Sequence, residues 1–371
     1  MSGFDFNANV RTICERMNAS YEDWNDWHWQ MRNRISSPEA LSKAFELDEK
    51  EIKDIKLAAE KFRWTVTPYS LALIDTKDPD CPIRKQIIPS GLELVDSLGE
   101  PDPLCELDHS PVPDLIHVYP DRVALCITDV CQAYCRHCFR KRRVKENPPK
   151  DAFELAIKYL QETREVRDVL VTGGDPLMLS DDKLIGKLQQ VRKIDHVQVM
   201  RLGTRSPSLL PMRITKELVD KLKTLHPLYV NVQFNHPREL TPDAVKALNM
   251  LADAGIPLGN QSVLLKGIND NLETMRELVH RLMAARVRPY YVFHPQLVEG
   301  TEHLRVPIEV GLDIHDGLEG FTSGLAVPLY ILDTPYGKVP LSRSRIVSRD
   351  DNGFTVKAFK GQLWTEKNPK D

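Results

Sequence analysis

The chain has 371 residues, of which 42% are hydrophobic and 28% charged, with a formal net charge of −3. This length allows two or three domains, or one large α/β domain with extensions, and the near-neutral charge argues against bulk electrostatic binding to nucleic acid or anionic membranes. There is no secretory signal and no apolar run near the ~20 residues that span a bilayer, and the seven cysteines then indicate a reducing compartment, so we expect a cytoplasmic protein without disulfides.

The first part of the chain predicts an extension to the main domain. Residues 1–62 carry apolar residues at helical spacing with interleaved charges. Residues 64–115 are rich in proline and aspartate, which predicts an irregular, wrapping segment with one short helix near residues 90–98. We therefore expect residues 1–115 to form a helical and irregular N-terminal extension.

From residue 116 onward, apolar runs alternate with amphipathic helical stretches. Runs that predict strands begin at residues 123, 168, 197, 228, 257, 288 and 326. From the second run on, the starts fall about 30 residues apart, the length of one βα unit. This regularity favours a partial (βα)6 barrel over residues 116–341, although periodicity alone also allows an open sheet. The final segment, 342–371, predicts a β-hairpin that turns at Asp351-Asn352-Gly353.

Three cysteines follow the first barrel strand in a C-x3-C-x2-C group: Cys131, Cys135 and Cys138. In such sheets, the loops at the carboxyl ends of the strands carry the chemistry. Structural zinc usually takes four ligands in two pairs, and the sequence has no second pair. His137 could be a fourth ligand only if the backbone were strained. The group therefore favours a [4Fe–4S] cluster with one open iron over a zinc knuckle or a chance grouping.

This motif, after the first strand of a βα barrel, resembles the radical S-adenosylmethionine (SAM) enzymes. In that superfamily the open iron binds SAM, and reductive cleavage of SAM yields a 5′-deoxyadenosyl radical. The second strand ends in Gly173-Gly174-Asp175, which is similar to the superfamily motif that holds the amino group of SAM. The resemblance implies an α/β protein: a partial (βα)6 radical-SAM barrel with the helical N-terminal extension and a short C-terminal β segment.

Longer segments carry a closer resemblance, to the lysine 2,3-aminomutase family. They include WHWQMRNRI, TPYSLALID, PIRKQIIPS, FNHPREL, DAGIPLGNQSVLLKGIND and the cysteine loop, and the match covers about residues 24–345. The family combines the cluster and SAM with pyridoxal 5′-phosphate (PLP), and it exchanges the α-amino group of an amino acid with a β-hydrogen. The resemblance therefore implies an isomerase, an amino-acid 2,3-aminomutase, with a small L-α-amino acid as substrate.

The resemblance also implies roles for single residues. Lys338 matches the lysine that binds PLP as a Schiff base, for which burial favours the required neutral amine. Tyr119 and Arg122 match positions near PLP, with the arginine at its phosphate. Arg140 matches the arginine that binds the substrate carboxylate, since a planar guanidinium suits that group. The residues that match the SAM site are Arg205, Gln233 and Gln261.

Three departures from the family pattern stand out. Val118 occupies the place of a further phosphate-binding arginine, so the phosphate contacts must be redistributed. Gln233 replaces a histidine close to SAM. The cysteine-rich tail that binds structural zinc is missing, and Asn271 replaces its internal cysteine partner. We therefore expect no structural zinc and a simpler homo-oligomer, a dimer or a tetramer.

A fourth departure from the family pattern concerns the residues that would bind the substrate side chain. The lysine enzyme holds the distal ammonium with two aspartates, of which Asp333 matches one, while Gln296 replaces the other. One carboxylate still favours a cationic side chain, lysine ahead of arginine, whereas glutamate would set a second carboxylate against Asp333. Alternatively, Asp333 is structural and caps the loop that carries Lys338.

The sequence by itself also allows other interpretations. One is a family member that supplies β-lysine for elongation factor P, and another is an iron–sulfur electron-transfer or sensing protein without catalysis. A third is an RNA-modifying radical enzyme that uses the basic stretch 136–145, which could also be a plain solvated face. We expect no nucleic acid or membrane partner and a flavodoxin- or ferredoxin-type electron donor.

Overall fold

The structure, a computed structural model, describes residues 4–42, 47–145, 149–350 and 353–367. In this part of the chain, a group of short helices precedes a nine-stranded sheet with interleaved helices, and a three-stranded sheet follows. The helices are α1 Phe6–Met17, α2 Tyr21–Asn25, α3 Trp27–Arg32, α4 Pro38–Leu41, α5 Glu49–Lys61, α6 Pro68–Ala72, α7 Pro82–Ile87, α8 Ala152–Glu162, α9 Asp181–Arg192, α10 Ser206–Leu209, α11 Lys216–Lys223, α12 Pro242–Asp253, α13 Leu272–Ala284 and α14 Ile308–Leu318. The strands are β1 Leu115–Tyr119, β2 Arg122–Cys126, β3 Asp168–Thr172, β4 Val199–Thr204, β5 Leu228–Val232, β6 Leu258–Val263, β7 Arg288–Phe293, β8 Leu329–Thr334, β9 Gly337–Pro340, β10 Ile346–Asp350, β11 Gly353–Lys357 and β12 Leu363–Lys367.

The N-terminal helices pack around an apolar core of their own. Trp24, Leu41, Ile55 and Tyr69 are buried in one cluster. This confirms the helical character predicted for the described part of residues 1–62. The core gives the extension a defined surface, which packs against the barrel rather than trailing from it.

The short helix expected near residues 90–98 is present as a 3₁₀ helix, but the expectation that it is the single helix of segment 64–115 is wrong. Two α-helices, α6 and α7, lie earlier in this segment, and only a 3₁₀ turn over Gly91–Leu94 falls in the expected range. Pro68 and Pro82 each occupy the first turn of their helix. There a proline loses no hydrogen bond and its fixed φ suits the helix. Because a proline-rich composition normally indicates irregular structure, the starts of α6 and α7 cannot be recognised from it.

The large sheet confirms the predicted partial barrel. Strands β2 to β8 are parallel neighbours in chain order, and at least one helix lies in each connection between them. At the two edges, β1 and β9 pair antiparallel with β2 and β8. These short edge strands form tight hairpins, which the 30-residue period of the βα units cannot reveal.

The two faces of the barrel strands have different surroundings. In β3, Val169 and Val171 are buried in the core beneath the helices, whereas Leu170 and Thr172 line an interior cavity. Helix α8 covers the outer face with residues at helical spacing. These residues are Phe153, Ala156, Ile157 and Leu160. The interior positions are thus free to line a ligand site.

The C-terminal strands form a separate antiparallel sheet. The predicted hairpin is confirmed by the pairing of Asp350 with Gly353, while residues 351 and 352 lie outside the described residues. The sequence does not predict the third strand, β12, which pairs with β11. Separately, none of the described helices is both long and apolar enough to cross a membrane.

A buried ion pair joins the extension to the barrel. Glu93 accepts hydrogen bonds from Nε and Nη2 of Arg136, at 2.8 and 2.6 Å, and one from Lys141 Nζ at 3.1 Å. Both side chains of the Glu93–Arg136 pair are only 1% exposed. Burial raises the pKa of Glu93, but the positive charges of Arg136 and Lys141 outweigh it and lower the pKa below its ordinary value.

This lowered pKa predicts a pH-dependent stability. Ionised Glu93 stabilises the fold above its unfolded-state pKa of about 4.3, and this contribution is lost as the pH falls through the lower folded value. In Glu93→Gln, Arg136 loses its buried counterion, so we expect a loss of about 3–5 kcal/mol at pH 7. Urea-unfolding midpoints are measured for the wild type and Glu93→Gln at several pH values between 7 and 3. The difference between the two midpoints should become smaller as the pH falls.

Asp220→Asn is the matched control, because Asp220 pairs with Lys216 on the exposed side of α11. Such a surface pair contributes about 0–1 kcal/mol. Equal urea midpoints for the wild type and Glu93→Gln at pH 7 would contradict the assigned role of the buried pair.

Candidate active site

A cavity of about 650 Å³ lies inside the barrel, where the loops after β2 to β8 converge. This is the end of a βα barrel that carries its chemistry. Every residue that the sequence analysis selects for cofactor or substrate binding lines this cavity. The structure thus brings together residues that lie as far apart in the chain as Tyr119 and Lys338, 219 positions, while their individual roles stay predictions.

The cysteine loop after β2 is held by the N-terminal extension. Arg34 Nη1 donates to the carbonyl of Cys131 at 3.0 Å. The backbone N–H of Arg136 donates to the carbonyl of Gln86, in α7, at 2.8 Å. Because this loop has little regular structure, its backbone groups need such partners. The extension therefore sets the positions of the three thiols.

Two of the three thiols, those of Cys131 and Cys138, are unfavourable as free thiolates. Burial raises the pKa of Cys131 well above its ordinary value, and Asp175 and the other two cysteines raise it further; the pKa of Cys138 is also raised. Bound metal would compensate three negative charges at this position. Among the described residues, the only His, Cys, Asp or Glu trio with ligand atoms all within 4.8 Å of one another is His315, Asp316 and Glu319. The three cysteine sulfurs are therefore not all within 4.8 Å of one another, which fits separate irons of a cluster better than one shared ion.

The Gly173-Gly174-Asp175 stretch packs directly on the start of the cysteine loop. The N–H of Gly174 donates to the carbonyl of Thr128 at 2.6 Å, and that of Asp175 to the carbonyl of Val130 at 2.8 Å. Gly173 has a φ of +135°, and a Cβ there would overlap the Thr128 carbonyl. Only glycine permits this approach.

The side chain of Asp175 connects β3 to β4. It accepts hydrogen bonds from Thr204 Oγ1, at 2.8 and 2.9 Å, and from the N–H of Arg205 at 2.9 Å. Burial raises the pKa of Asp175, and these donors oppose that rise. The carboxylate therefore fixes the start of the segment that carries Arg205.

Arg205 connects the cysteine loop to two other elements. Its Nη1 lies 2.6 Å from Cys135 Sγ, and its Nη2 donates to Gln86 Oε1 at 2.5 Å and to Glu239 Oε1 at 2.7 Å. Burial lowers the pKa of Arg205, but Cys135 and Glu239 outweigh it and raise the pKa. The sequence analysis missed Gln86 and Glu239 as site residues. The only signal for them was that they lie in the segments PIRKQIIPS and FNHPREL, which resemble the family.

His137 is a neutral acceptor next to the predicted SAM residues. Its Nε2 lies 3.3 Å from the amide nitrogens of Gln233 and Asn235. Burial lowers the pKa of His137 well below its ordinary value, and the nearby charge of Arg205 lowers it further. Since Nε2 accepts from these amides, His137 is not placed as a fourth ligand through that atom.

The basic stretch 136–145 is directed into the protein. Each of its five cations with a described side chain forms an ion pair with a carboxylate. The pairs are Arg136 and Lys141 with Glu93, Arg140 and Arg142 with Glu106, and Arg143 with Asp114 and Asp129. These contacts do not fit a solvated face or a nucleic-acid surface, and the side chain of Lys145 lies outside the described residues.

Lys338 and Asp333 face each other across the β8–β9 hairpin. They are paired in register, and Lys338 Nζ lies 3.3 Å from Asp333 Oδ2. The N–H of Lys338 donates to the hydroxyl of Tyr119 at 2.7 Å. Gly337 makes this contact possible, because it has a φ of +112° and a Cβ there would lie 3.0 Å from the Tyr119 ring. Lys338 therefore lies in a strand, not in the expected loop, with its amine directed into the cavity.

The interpretation of Asp333 as a loop cap does not fit this hairpin. The turn is closed by Thr334, whose Oγ1 donates to the carbonyl of Gly337 at 2.8 Å and accepts from the N–H of Tyr336 at 3.2 Å. Burial raises the pKa of Asp333, and Lys338 only partly opposes it. Asp333 is thus a half-buried carboxylate of the cavity wall.

Arg140 is held rigidly by a carboxylate that the sequence analysis did not identify. Nε and Nη2 of Arg140 donate to both oxygens of Glu106, at 2.6–3.1 Å. Burial lowers the pKa of Arg140, but Glu106 outweighs it and raises the pKa. Glu106 lies in the irregular segment 101–114, where no local pattern marks it as part of a site.

Comparisons with known proteins agree with this geometry. Residues 125–280 match the Radical SAM superfamily. The chain is 47% identical over 360 residues to the L-lysine 2,3-aminomutase of Fusobacterium nucleatum and 45% identical over 357 residues to that of Clostridium subterminale, covering 95% of this chain and 85% and 86% of the relatives. It is 41% identical to the glutamate 2,3-aminomutase of Clostridioides difficile, over 97% of this chain and 86% of that enzyme.

The chain belongs to the lysine 2,3-aminomutase family. It is therefore an isomerase, and the cofactors of the family are a [4Fe–4S] cluster, SAM and PLP. The residues fit these groups: this aminomutase has three half-buried thiols on one loop of the cavity and a cavity-facing lysine beside an acid. When bound, the cluster and SAM supply a carbon radical, and PLP supplies a carbonyl that holds the amino group.

The cysteine geometry predicts the iron content. The anaerobically reconstituted wild type should hold about four irons per chain, and replacement of Cys131, Cys135 or Cys138 with alanine should remove both the iron and the cleavage of SAM. Iron analysis and 5′-deoxyadenosine release measure the two effects. Cys14→Ala is the control, because Cys14 lies on α1 outside the cavity. A reconstituted wild type that holds only zinc would contradict the assignment.

Proposed function

We propose that this aminomutase converts L-lysine to the corresponding β-amino acid, with L-arginine and L-glutamate as the alternative substrates. The observation that carries the proposal is Asp333, a half-buried cavity carboxylate whose described ion-pair partner is a lysine that the cofactor would occupy. The names of the relatives support lysine first and glutamate second.

The other carboxylates of the cavity wall are already bound. Glu106 pairs with Arg140 and Arg142, and Asp168 pairs with Arg201. Asp175 accepts from hydroxyl and backbone groups. A cationic substrate would therefore meet Asp333 as the available acid.

The pairing of Lys338 with Asp333 depends on the charge of the lysine. If Lys338 holds PLP as a Schiff base, its nitrogen would not be a free ammonium for Asp333 when the substrate arrives. A cationic side chain of the substrate would then supply the missing positive charge. A glutamate side chain would instead bring a second carboxylate to a half-buried acid, which is unfavourable unless one of the two is protonated.

Gln296 adds a neutral partner in the loop after β7, the strand next to β8. It is half-buried and lines the same cavity as Asp333. Its amide oxygen can accept a hydrogen bond from an ammonium or a guanidinium. The site thus offers one full negative charge to the substrate side chain.

At the other end of the substrate, Arg140 would bind the α-carboxylate. Glu106 occupies its Nε and Nη2, while Nη1 makes no hydrogen bond to the described residues. A guanidinium fixed on one edge and open on another is oriented before the substrate arrives. Arg205 keeps a positive charge beside Cys135, and the burial of the cavity wall limits the access of water to a reactive radical.

We also propose a flavodoxin- or ferredoxin-type electron donor, a homo-oligomer and a cytoplasmic location. The cluster must gain one electron to cleave SAM, which supports a small redox protein as partner. All seven cysteines are free thiols, which supports a reducing compartment.

Lys338 should carry the PLP. Borohydride should fix the cofactor irreversibly on the peptide that contains Lys338, and Lys338→Ala should lose turnover while it keeps its iron, since the thiols lie elsewhere. Peptide mass spectrometry after reduction identifies the labelled residue. Lys266→Ala, on a loop outside the cavity, is the control. A label on any other lysine would contradict the assignment.

Asp333 should decide the turnover of a cationic substrate. In Asp333→Asn a partly buried cation would be unpaired, at a cost of several kcal/mol, so we expect kcat/KM for lysine to fall roughly a hundredfold or more. Gln296→Asp should raise the activity towards lysine by adding a second carboxylate. Amino-acid products are quantified by NMR after anaerobic incubation with lysine, arginine and glutamate, with Asp220→Asn as control. If the wild type turns over glutamate well and neither cationic amino acid, the lysine proposal fails while the aminomutase chemistry stands.

A further inference from the structure

The cavity extends from the cysteine loop towards the amino ends of β2, β3 and β4, where a second group of charged residues lies. Arg122, Asp168 and Arg201 line this part. Arg122 and Asp168 are register partners on β2 and β3, and Arg201 Nε donates to Asp168 Oδ1 at 2.8 Å. The proposed reaction assigns Arg201 no role beyond its pairing with Asp168.

The hydrogen bonds in the cavity show which cationic side chains have N–H donors without a protein acceptor among the described residues. Among the described residues, the cavity is lined by five arginines and lysines: Arg122, Arg140, Arg201, Arg205 and Lys338. Arg205 is bound on both Nη atoms and Arg140 on two of its three nitrogens. Arg201 uses only Nε within the described part of the chain, which leaves both Nη groups for a ligand. A phosphate monoester offers three strong acceptor oxygens and nearly two negative charges.

The fold directs Arg201 into the barrel. Its neighbours on β4, Met200 and Leu202, are buried in the core on the outer face, so Arg201 points inward. Its register partner Leu170 on β3 lines the same cavity, as do the small residues Ala124 on β2 and Gly203 on β4. Val118, on β1, contributes no charge to this region. Arg201 is therefore a half-buried cation, 19% exposed, at an open part of the cavity.

This cationic end is adjacent to the lysine expected to bind PLP. Arg122 Cζ lies 3.7 Å from the centre of the Tyr119 ring, and Lys338 Nζ lies 5.6 Å from the same centre. Resting on the proposed attachment of PLP to Lys338, we propose that Arg201, together with Arg122, binds the phosphate of the cofactor. Asp168 is the positioning residue. It accepts a hydrogen bond from Nε of Arg201, which leaves the two Nη groups of Arg201 for the phosphate, although the negative charge of Asp168 itself repels the phosphate.

The experiment compares two ligands that differ only in the phosphate. The full chain, with its cluster reconstituted and PLP removed by hydroxylamine, is titrated anaerobically with PLP and with pyridoxal, and the absorbance of the Lys338-bound ligand is followed. Arg201→Gln should weaken PLP binding by roughly 10- to 100-fold, the effect of a hydrogen bond to a charged group, and leave pyridoxal binding unchanged. Arg201→Lys should recover part of the loss, because the charge is kept.

Arg167→Gln is the matched control, because Arg167 is exposed and its side chain, among the described residues, hydrogen-bonds to the side chain of Gln198 outside the cavity. Equal PLP affinity in the wild type and Arg201→Gln would overturn the inference. An equal loss for PLP and pyridoxal would also overturn it, since that pattern indicates a structural role. A wild type that binds neither ligand at Lys338 would instead refute the proposed function on which the inference rests.

Discussion

The position of the cysteine loop depends on charges that are paired across the boundary between the N-terminal extension and the barrel. Glu93 of the extension holds Arg136 in the middle of the C-x3-C-x2-C motif, with both side chains excluded from water. Gln86 holds both the backbone of the loop and the guanidinium of Arg205. Separating either contact would leave a buried charge or a buried polar group unpaired, which is costly. The N-terminal extension therefore helps to hold the cysteine loop in position, and the barrel alone would lack these contacts.

The same rule organises the rest of the cavity, because charged groups away from water need partners. Arg140 is held by Glu106, Arg201 by Asp168, Arg205 by Glu239 and Lys338 by Asp333. In three of these pairs the acid holds an arginine, which keeps its charge and can bind a further anion with its remaining donors. The fourth pair holds a lysine, the only one of these cations that can become a neutral nucleophile. This difference separates the proposed anion sites from the proposed covalent site.

Close backbone contacts bring the loops to one place. Gly173 and Gly174 allow the end of β3 to hydrogen-bond with the start of the cysteine loop, and Gly337 allows β9 to lie against Tyr119. Both contacts require a residue without a side chain. Asp175 then continues the connection to β4. The cluster side and the Lys338 side of the cavity are thus both shaped by hydrogen bonds of the backbone.

Local pattern alone was enough to indicate the barrel, since a strand and a helix recur at the length of one βα unit, and the spacing of Cys131, Cys135 and Cys138 was enough to indicate a cluster. Resemblance to the family selected Lys338, Arg140 and Arg205. Three features appeared only in the tertiary structure: the helices that begin at Pro68 and Pro82, the edge strands β1 and β9, and the carboxylates that hold the site cations. Glu106 and Glu239 had no local signal, because an acid is marked as buried only by the distant arginine that it meets. Periodicity reports contacts between near neighbours in the chain, whereas the pairing of charges is decided by the fold.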